Sequence, residues 1–449
     1  MKVSKVVSLV VDQDLCTGCG ICVSQCSSKS LSMGWDDSGF LVPQQLDDTC
    51  IEEGDCVNVC PFNPFPKEEV KTEDELANIF QKETSYRDDK IGKYEAIYVG
   101  YSKAFRTSSS SGGMATYFLS QLFDRKIVDA VVVVNYQEDN AQFYNYKLVS
   151  SKEGLLRSSK TRYYPVTLDK AIKDVMAFNG KVAIVGVGCF LKAVRLKQFE
   201  NPSFNAKIEF LIGIICGGLK SKYYTDFLSS KTVNNYTEIS KPEYRIKKSE
   251  NKASDYYFGL DYKNKKHTLR MQSAGEMWGT GFFKSNACDF CEDVTSELAD
   301  VSLGDAWLTP YVNEGDGNSV VVTRNKLAEK IIIEGVKSEE LQLATLSKDD
   351  LKKSQSGSFN HRHKGLKYRV DRRVKLGKLT PPKRHRNLFE VPLPFKIVQY
   401  FRQRTRWESI SNWLKHRKSK PFELSMKPHL LILRIVTKVY HETRKIGWK

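Results

Sequence analysis

Eleven cysteines fall into two groups in this 449-residue chain, and the first group constrains the fold more than anything else in it. Cys16, Cys19, Cys22 and Cys26 have the spacing Cys-x2-Cys-x2-Cys-x3-Cys. Cys50, Cys56 and Cys60, followed by Pro61, repeat that register, with Glu53 where a complete second run would carry a cysteine. This is the bacterial iron–sulfur arrangement, in which the fourth cysteine of each run ligates the other cluster. Three closely spaced thiolates on a glycine-bearing turn wrap one cubane, and the fourth, carried off by a helix, reaches the neighbouring one.

The array predicts a two-cluster ferredoxin module. Cys16, Cys19, Cys22 and Cys60 are assigned to one 4Fe–4S cluster, and Cys26, Cys50 and Cys56 to the other. Cys-x2-Cys pairs also bind zinc tetrahedrally, but one zinc site does not account for two interleaved runs. Glu53 is a harder donor than a thiolate and suits iron less well. The second centre is therefore expected to be 3Fe–4S, or 4Fe–4S with Glu53, Asp55 or water on its fourth iron.

Hydrophobic residues make up 41% of the chain and aromatic residues 11%, enough for real cores and too much for a disordered chain. No apolar run approaches the ~18 residues that cross a bilayer. The N-terminus lacks a secretory pattern, so the cysteines point to metal in a reducing, cytoplasmic setting rather than to disulfides. The net charge of +17 is concentrated: residues 361–449 hold 25 Lys and Arg against 5 Asp and Glu, and the remainder is nearly neutral. A nucleic-acid-binding body is not expected on this distribution.

Four segments are expected: a ferredoxin domain at 1–66, a linker at 67–90, a larger α/β domain at 91–345 and a basic helical extension at 346–449. The fold class is an α+β ferredoxin domain followed by an α/β domain with a partly parallel sheet. Val3 to Val11 reads as the first ferredoxin strand. Ser109, Ser110, Ser111, Gly112 and Gly113 precede an amphipathic pattern, so free N–H groups at a helix start suit a phosphate; an ordinary serine cap reads the same way. Strand–turn–helix patterns at Lys181–Phe199 and Ile208–Leu228 indicate parallel βαβ structure. Cys189 and Cys216 then fall just past the carboxyl ends of strands, the edge where open α/β sheets bind ligands. Lys231–Leu269 reads as irregular or antiparallel.

Once the ferredoxin is served, Cys189, Cys216, Cys288 and Cys291 remain. Four is the number for one further cluster or for a structural zinc, with Cys288-x2-Cys291 as the chelating pair. Buried strand-end thiols are the plain alternative for the first two. A cluster is favoured because a ferredoxin already brings electrons alongside.

Together these features resemble the family of beta subunits of coenzyme F420 hydrogenases and dehydrogenases over residues 1–345. The marks are the ferredoxin run, Ser109–Gly113, Ser159-Lys160, Gly186-Val187-Gly188-Cys189, Cys216-Gly217-Gly218, the Cys288/Cys291 pair and Ala299–Asp305. The resemblance implies bound FAD, with Ser109–Gly113 and Lys160 among its contacts, and a cluster at the four later cysteines. The family's usual Gly-Thr-Pro-Cys turn is Gly186-Val187-Gly188-Cys189 here, and Ser27 replaces the usual proline after Cys26.

The expected function is an iron–sulfur flavoprotein oxidoreductase acting on an organic substrate, with surface-polysaccharide biosynthesis as the family-level suggestion. The alternatives are a deazaflavin (F420) oxidoreductase and a non-catalytic electron-transfer component of a larger complex. A redox partner protein or reduced cofactor is the expected electron source. No His or carboxylate pair stands out as an acid–base catalyst; Tyr163, His267 and Asp305 are nominated but read equally as structural. The basic tail, with its interspersed aromatics, suits either an anionic membrane surface or packing on the body. On the membrane reading, truncation after Leu366 is expected to leave the cofactors intact.

Overall fold

The computed structural model describes residues 3–51, 54–137, 142–275 and 277–445. An eight-stranded mixed sheet forms its centre. The strands that build the molecule are β1 (Leu31–Trp35), β2 (Leu41–Gln45), β3 (Tyr86–Asp88), β4 (Gly92–Tyr94), β5 (Ala96–Ser102), β6 (Ala130–Tyr136), β7 (Tyr144–Val149), β8 (Val182–Val187), β9 (Ile208–Ile214), β10 (Ser240–Ile246), β11 (Tyr257–Tyr262), β12 (Lys265–Arg270), β13 (Val301–Asp305), β14 (Ser319–Thr323) and β15 (Leu341–Thr345). The central order is β15-β5-β14-β13-β9-β8-β6-β7. The inner strands β13, β9, β8 and β6 run parallel, and both flanks are antiparallel. The inner strands are near-continuous runs of Val, Ile and Leu because both sheet faces are covered.

Helices Met114–Asp124 and Lys326–Lys337 cover one face, through Phe118, Leu122, Ile331 and Ile332. Helices Asp169–Ala177 and Gly188–Glu200 cover the other. The ferredoxin module packs on this second face. Its Val10, Leu15, Ile21 and Val57 share one core with Ile172, Phe190, Leu191 and Leu211. The main-chain N–H of Leu168 donates to the carbonyl of Cys19 at 2.9 Å. Gly20 takes a left-handed φ of 76°, and a Cβ there would stand 2.0 Å from Thr167 Oγ1. The first cysteine loop is thus seated directly on the larger domain.

One local expectation changes. Val7–Val11 is a π-helical turn, not a strand. Val6 and Val10, four residues apart, are buried together, and β1 and β2 pair with each other instead. Between 67 and 90, only Glu73–Phe80 is α-helical, capped by a reciprocal Thr72/Glu75 box. That segment is also anchored: Gln81 donates to the carbonyls of Glu297 and Ala299, both at 2.8 Å. The antiparallel sheet β10-β11-β12 occupies residues 240–270, the antiparallel of the two alternatives read for Lys231–Leu269.

Beyond β15 the chain folds back over the body. Helices Leu366–Lys375, Leu393–His416 and Ser419–Lys445 make up most of it. Trp413, Phe422 and Met426 are fully buried in an aromatic core with Phe227 and Phe283. Arg384 forms a buried fork on Glu297, at 2.7 and 2.9 Å, while its main-chain N–H reaches Glu292. Among the described residues no helix is long and apolar enough to cross a membrane.

Candidate redox site

Two cysteine groups flank one large cavity. In the ferredoxin module, Cys16, Cys19, Cys22 and Cys60 lie within electrostatic reach of one another. Burial, and then the neighbouring thiols, push Cys22 and Cys60 well above the usual thiol range. Burial takes Cys16 to about 12 and Cys19 to about 11, against N–H groups that favour the thiolate. Such a group stores negative charge comfortably only when a cation shares it. The Gly18 N–H points at Cys16 Sγ, 3.3 Å away.

The second set is held differently. Cys26 Sγ shares hydrogen bonds with Ser28 and Ser30 at 3.4 and 3.5 Å, and Cys56 Sγ with Ser4 at 3.5 Å. Cys50 is half-buried. Glu53 lies outside the described residues, whereas Asp55, the other carboxylate named, opens the helical turn Asp55–Asn58 beside Cys56.

The four later cysteines come together from three parts of the chain. Cys189 opens the helix after β8, Cys216 follows β9, and Cys288 and Cys291 bracket the end of the turn Asn286–Phe290. Burial raises the Cys189 thiol far above its usual range, followed by the effects of Cys291, Cys288 and Cys216. Main-chain N–H groups of Gly218 and Leu219 donate to Cys216 and Cys288, each at 3.2 Å. Among the described residues, no three His, Cys, Asp or Glu side chains close on a single-ion position. Tyr146 is buried between the two groups, in electrostatic contact with Cys189, Cys19 and Cys216.

The cavity, of about 1010 Å³, opens at the carboxyl ends of β6, β8, β9 and β13. Its wall runs from Thr17 and Gly18 in the first cysteine loop, past Tyr146, to Cys216. Ser109, Ser110, Ser111, Gly113 and Lys160 all line it. Ser109 Oγ is buried with no hydrogen-bond partner among the described residues. Ser110 Oγ accepts from the Thr161 N–H at 2.9 Å, Ser111 Oγ donates to the Asn318 carbonyl at 3.1 Å, and Lys160 pairs with Glu243 at 3.2 Å. Gly112 does not line the cavity. A Cβ there would meet the Gly100 carbonyl at 2.6 Å, so its role is close packing. Gly113 has φ 80° and starts the helix Met114–Asp124, whose amino end faces the same space.

Charge is the strongest chemical feature of this wall. Among the described residues eight Lys and Arg side chains line it against two aspartates, Asp289 and Asp305. Asp305 is held by buried Arg245 at 2.6 Å. Arg245 Nε and Arg162 Nε are buried without hydrogen-bond partners among the described residues. Of the other nominated residues, Tyr163 lines the cavity with its ring 4.8 Å from Trp278, whereas His267 sits on β12 against Tyr262, away from it.

Sequence reasoning missed the contribution of the tail. Arg362 is buried, donates to the carbonyls of Cys216 (2.5 Å) and Asp293, and points its Nη1 at Cys291 Sγ, 3.7 Å away. His361 reaches Lys284 at 2.8 Å and Asp289 at 3.1 Å. Desolvation, then the Lys284 cation, holds His361 neutral, well below the usual imidazole range. Arg362 and His361 stand among basic residues of unexceptional pattern, so no local signal marked them.

Comparison with known proteins adds the lineage. The chain matches the model for the coenzyme F420 hydrogenase/dehydrogenase beta subunit, N-terminal part over residues 97–173 and C-terminal part over 179–349, together more than half its length. A 4Fe–4S dicluster domain matches residues 15–63. The chain belongs to the family of coenzyme F420 hydrogenase/dehydrogenase beta subunits. One relative in this family is a coenzyme F420-dependent sulfite reductase of Methanocaldococcus jannaschii, 27% identical over 74% of this chain but only 48% of that protein. This chain therefore spans about half of that relative's length. Another is a component of the F(420)H(2) dehydrogenase of Methanosarcina mazei, 24% identical over 72% of this chain and 82% of that protein. A chain of the F420-reducing [NiFe] hydrogenase complex from Methanosarcina barkeri shares the fold, with TM-score 0.51 and 20% identity, covering 66% of this chain and 99% of that one. The chain is thus an iron–sulfur protein related to F420-linked oxidoreductases, and its N-terminal module is of the 4Fe–4S type.

Proposed function

We propose that this protein exchanges electrons between coenzyme F420, bound at the large cavity, and the iron–sulfur centres that flank it. The observation that carries the reading is the shared wall: one cavity touches the first cysteine loop at Thr17 and Gly18 and the inner cysteine group at Cys216. The relatives' names are those of F420-linked redox proteins, so this reading leads over the surface-polysaccharide one.

The residues present also fit FAD. Ser109 Oγ, the helix start at Gly113 and the cationic lining suit a phosphorylated, planar cofactor. A flavin supplies the interconversion of hydride and single-electron chemistry that joins a hydride carrier to one-electron clusters. In this scheme Ser109–Ser111 position the phosphates, and Lys160, Arg162 and Arg245 balance anionic charge. Tyr163 and Trp278 form an aromatic wall that excludes water. Cys16, Cys19, Cys22 and Cys60 hold one ferredoxin cluster; Cys26, Cys50 and Cys56 hold the other; Cys189, Cys216, Cys288 and Cys291 hold the inner one.

Anaerobically purified protein should contain flavin and bind coenzyme F420. Ser109→Ala combined with Lys160→Ala is expected to lower flavin content several-fold while iron content is kept. Unchanged flavin in that variant contradicts the assigned contacts. Absence of F420 binding to the wild-type protein contradicts the lead reading.

A further inference from the structure

A second, smaller concavity lies on the outside of the molecule, where the tail crosses the ferredoxin module. Its volume is about 290 Å³. Arg369, Arg372, Arg373, Lys378, Arg404 and Arg406 line it, against Asp14 as the single acid among the described residues. Several of these charges meet neutral acceptors. Arg372 donates to Gln403 at 2.9 Å and stacks on Tyr400, while Arg373 donates to the main-chain carbonyls of Gln13 and Leu379. Lys378 and Arg404 are exposed. The rim is apolar and aromatic: Trp407 and Leu376 are each 63% exposed.

The floor of this groove belongs to the redox machinery. Gln13 and Asp14 immediately precede the first cysteine loop. Asn286, on the other side, donates to the Asp14 carbonyl at 2.8 Å, and Phe290 lies between Cys288 and Cys291. Arg373 stacks over Phe290 at 5.1 Å. The groove therefore adjoins segments that lead into both cysteine groups, and Arg406 lines it as well as the large cavity.

We infer that this groove docks a small acidic electron-carrier protein, which exchanges electrons with the cluster held by the first cysteine loop. Charge complementarity identifies the partner: a surface this basic steers an acidic carrier and repels a basic one. Exposed Trp, Tyr and Arg around a concave centre are the composition of protein interfaces. A flat anionic membrane does not enter a concavity whose floor is made of cluster-bearing loops. The inference rests on the iron–sulfur reading of Cys16–Cys60 but not on coenzyme F420.

Stopped-flow reduction of the anaerobic, full-length protein tests it, with a reduced acidic bacterial two-cluster ferredoxin as donor. Reduced methyl viologen serves as a cationic control donor that needs no docking. In the wild-type protein the ferredoxin rate should fall steeply with salt. Arg372→Glu with Lys378→Glu should lower the second-order ferredoxin rate about tenfold at low salt. Methyl viologen reduction should keep its wild-type rate or rise. Lys427→Glu with Arg434→Glu, the same charge change on the last helix, should leave ferredoxin within about twofold of the wild-type rate. A salt-independent wild-type rate overturns the inference whether or not the variants fold, and so does equal loss in both variants. Loss of binding to phosphatidylcholine–phosphatidylglycerol vesicles in the groove variant, with ferredoxin kinetics unchanged, assigns the groove to a membrane and also overturns it. Failure of methyl viologen to reduce the wild-type protein counts against the clusters themselves, not the groove.

Discussion

Arg362 shows how a single side chain joins the tail to the candidate redox site. Its guanidinium is buried, braced by the carbonyls of Cys216 and Asp293, and directed at Cys291. A fixed cation beside a thiolate-ligated centre favours the reduced, more negative state. Arg362→Gln is expected to lower the midpoint potential of the inner centre by a few tens of millivolts, where about 59 mV corresponds to tenfold for one electron. Potentiometric titration followed by EPR checks this; an unchanged potential in a folded variant contradicts it. At this scale the sequence was legible wherever spacing encodes chemistry. Cys16, Cys19 and Cys22 declare themselves because a cubane demands that register. Arg362 and Lys284 do not, since long-range packing alone makes them special.

At the scale of elements, the helix Lys222–Thr232 carries a testable pH dependence. Burial raises Asp226 to about 6, with Lys222 and Arg417 opposing the shift. The folded state therefore binds this proton more tightly than the unfolded chain. The group's contribution to stability is greatest below about 3.8 and is lost as pH rises towards about 6. Asp226→Asn is expected to unfold at higher temperature than wild type at pH 7, by about 1–3 kcal/mol, with the difference shrinking towards pH 4. A lower melting temperature at pH 7 would contradict the sign. A second element-level test is Gly113→Ala. It places a Cβ 2.6 Å from the Phe105 carbonyl carbon in a left-handed backbone, and should cost about 2 kcal/mol in thermal or denaturant unfolding. The parallel strand–turn–helix units were readable because buried strands are unbroken apolar runs that end in glycine turns. Val7–Val11 was misread because a short valine run suits a strand and a buried helical turn equally.

For the whole molecule, the tail takes one of the two readings its sequence left open, packing on the body. A detachable basic extension would leave its cations in water, yet Arg384 neutralises buried Glu297 and Arg369 bonds the main chain of Asp289. Truncation after Leu366 removes both, so it is expected to destabilise the protein and release its cofactors rather than leave them intact. The uncompensated Glu297 alone costs about 3–5 kcal/mol, which Arg384→Met should reproduce in thermal unfolding. Composition reported the tail's charge correctly but not its partners, because Asp289 and Glu297 lie 80 and 87 residues away in the chain. The ferredoxin module, the sheet edge and the tail together wall the large cationic cavity. The proposed electron exchange between coenzyme F420 and the clusters across this cavity is tested most directly by mixing the anaerobic, oxidised protein with reduced coenzyme F420 and freezing samples for EPR. Signals of reduced iron–sulfur clusters are expected to appear as the coenzyme is oxidised. Clusters that stay oxidised with the coenzyme, yet are reduced by dithionite, would contradict it.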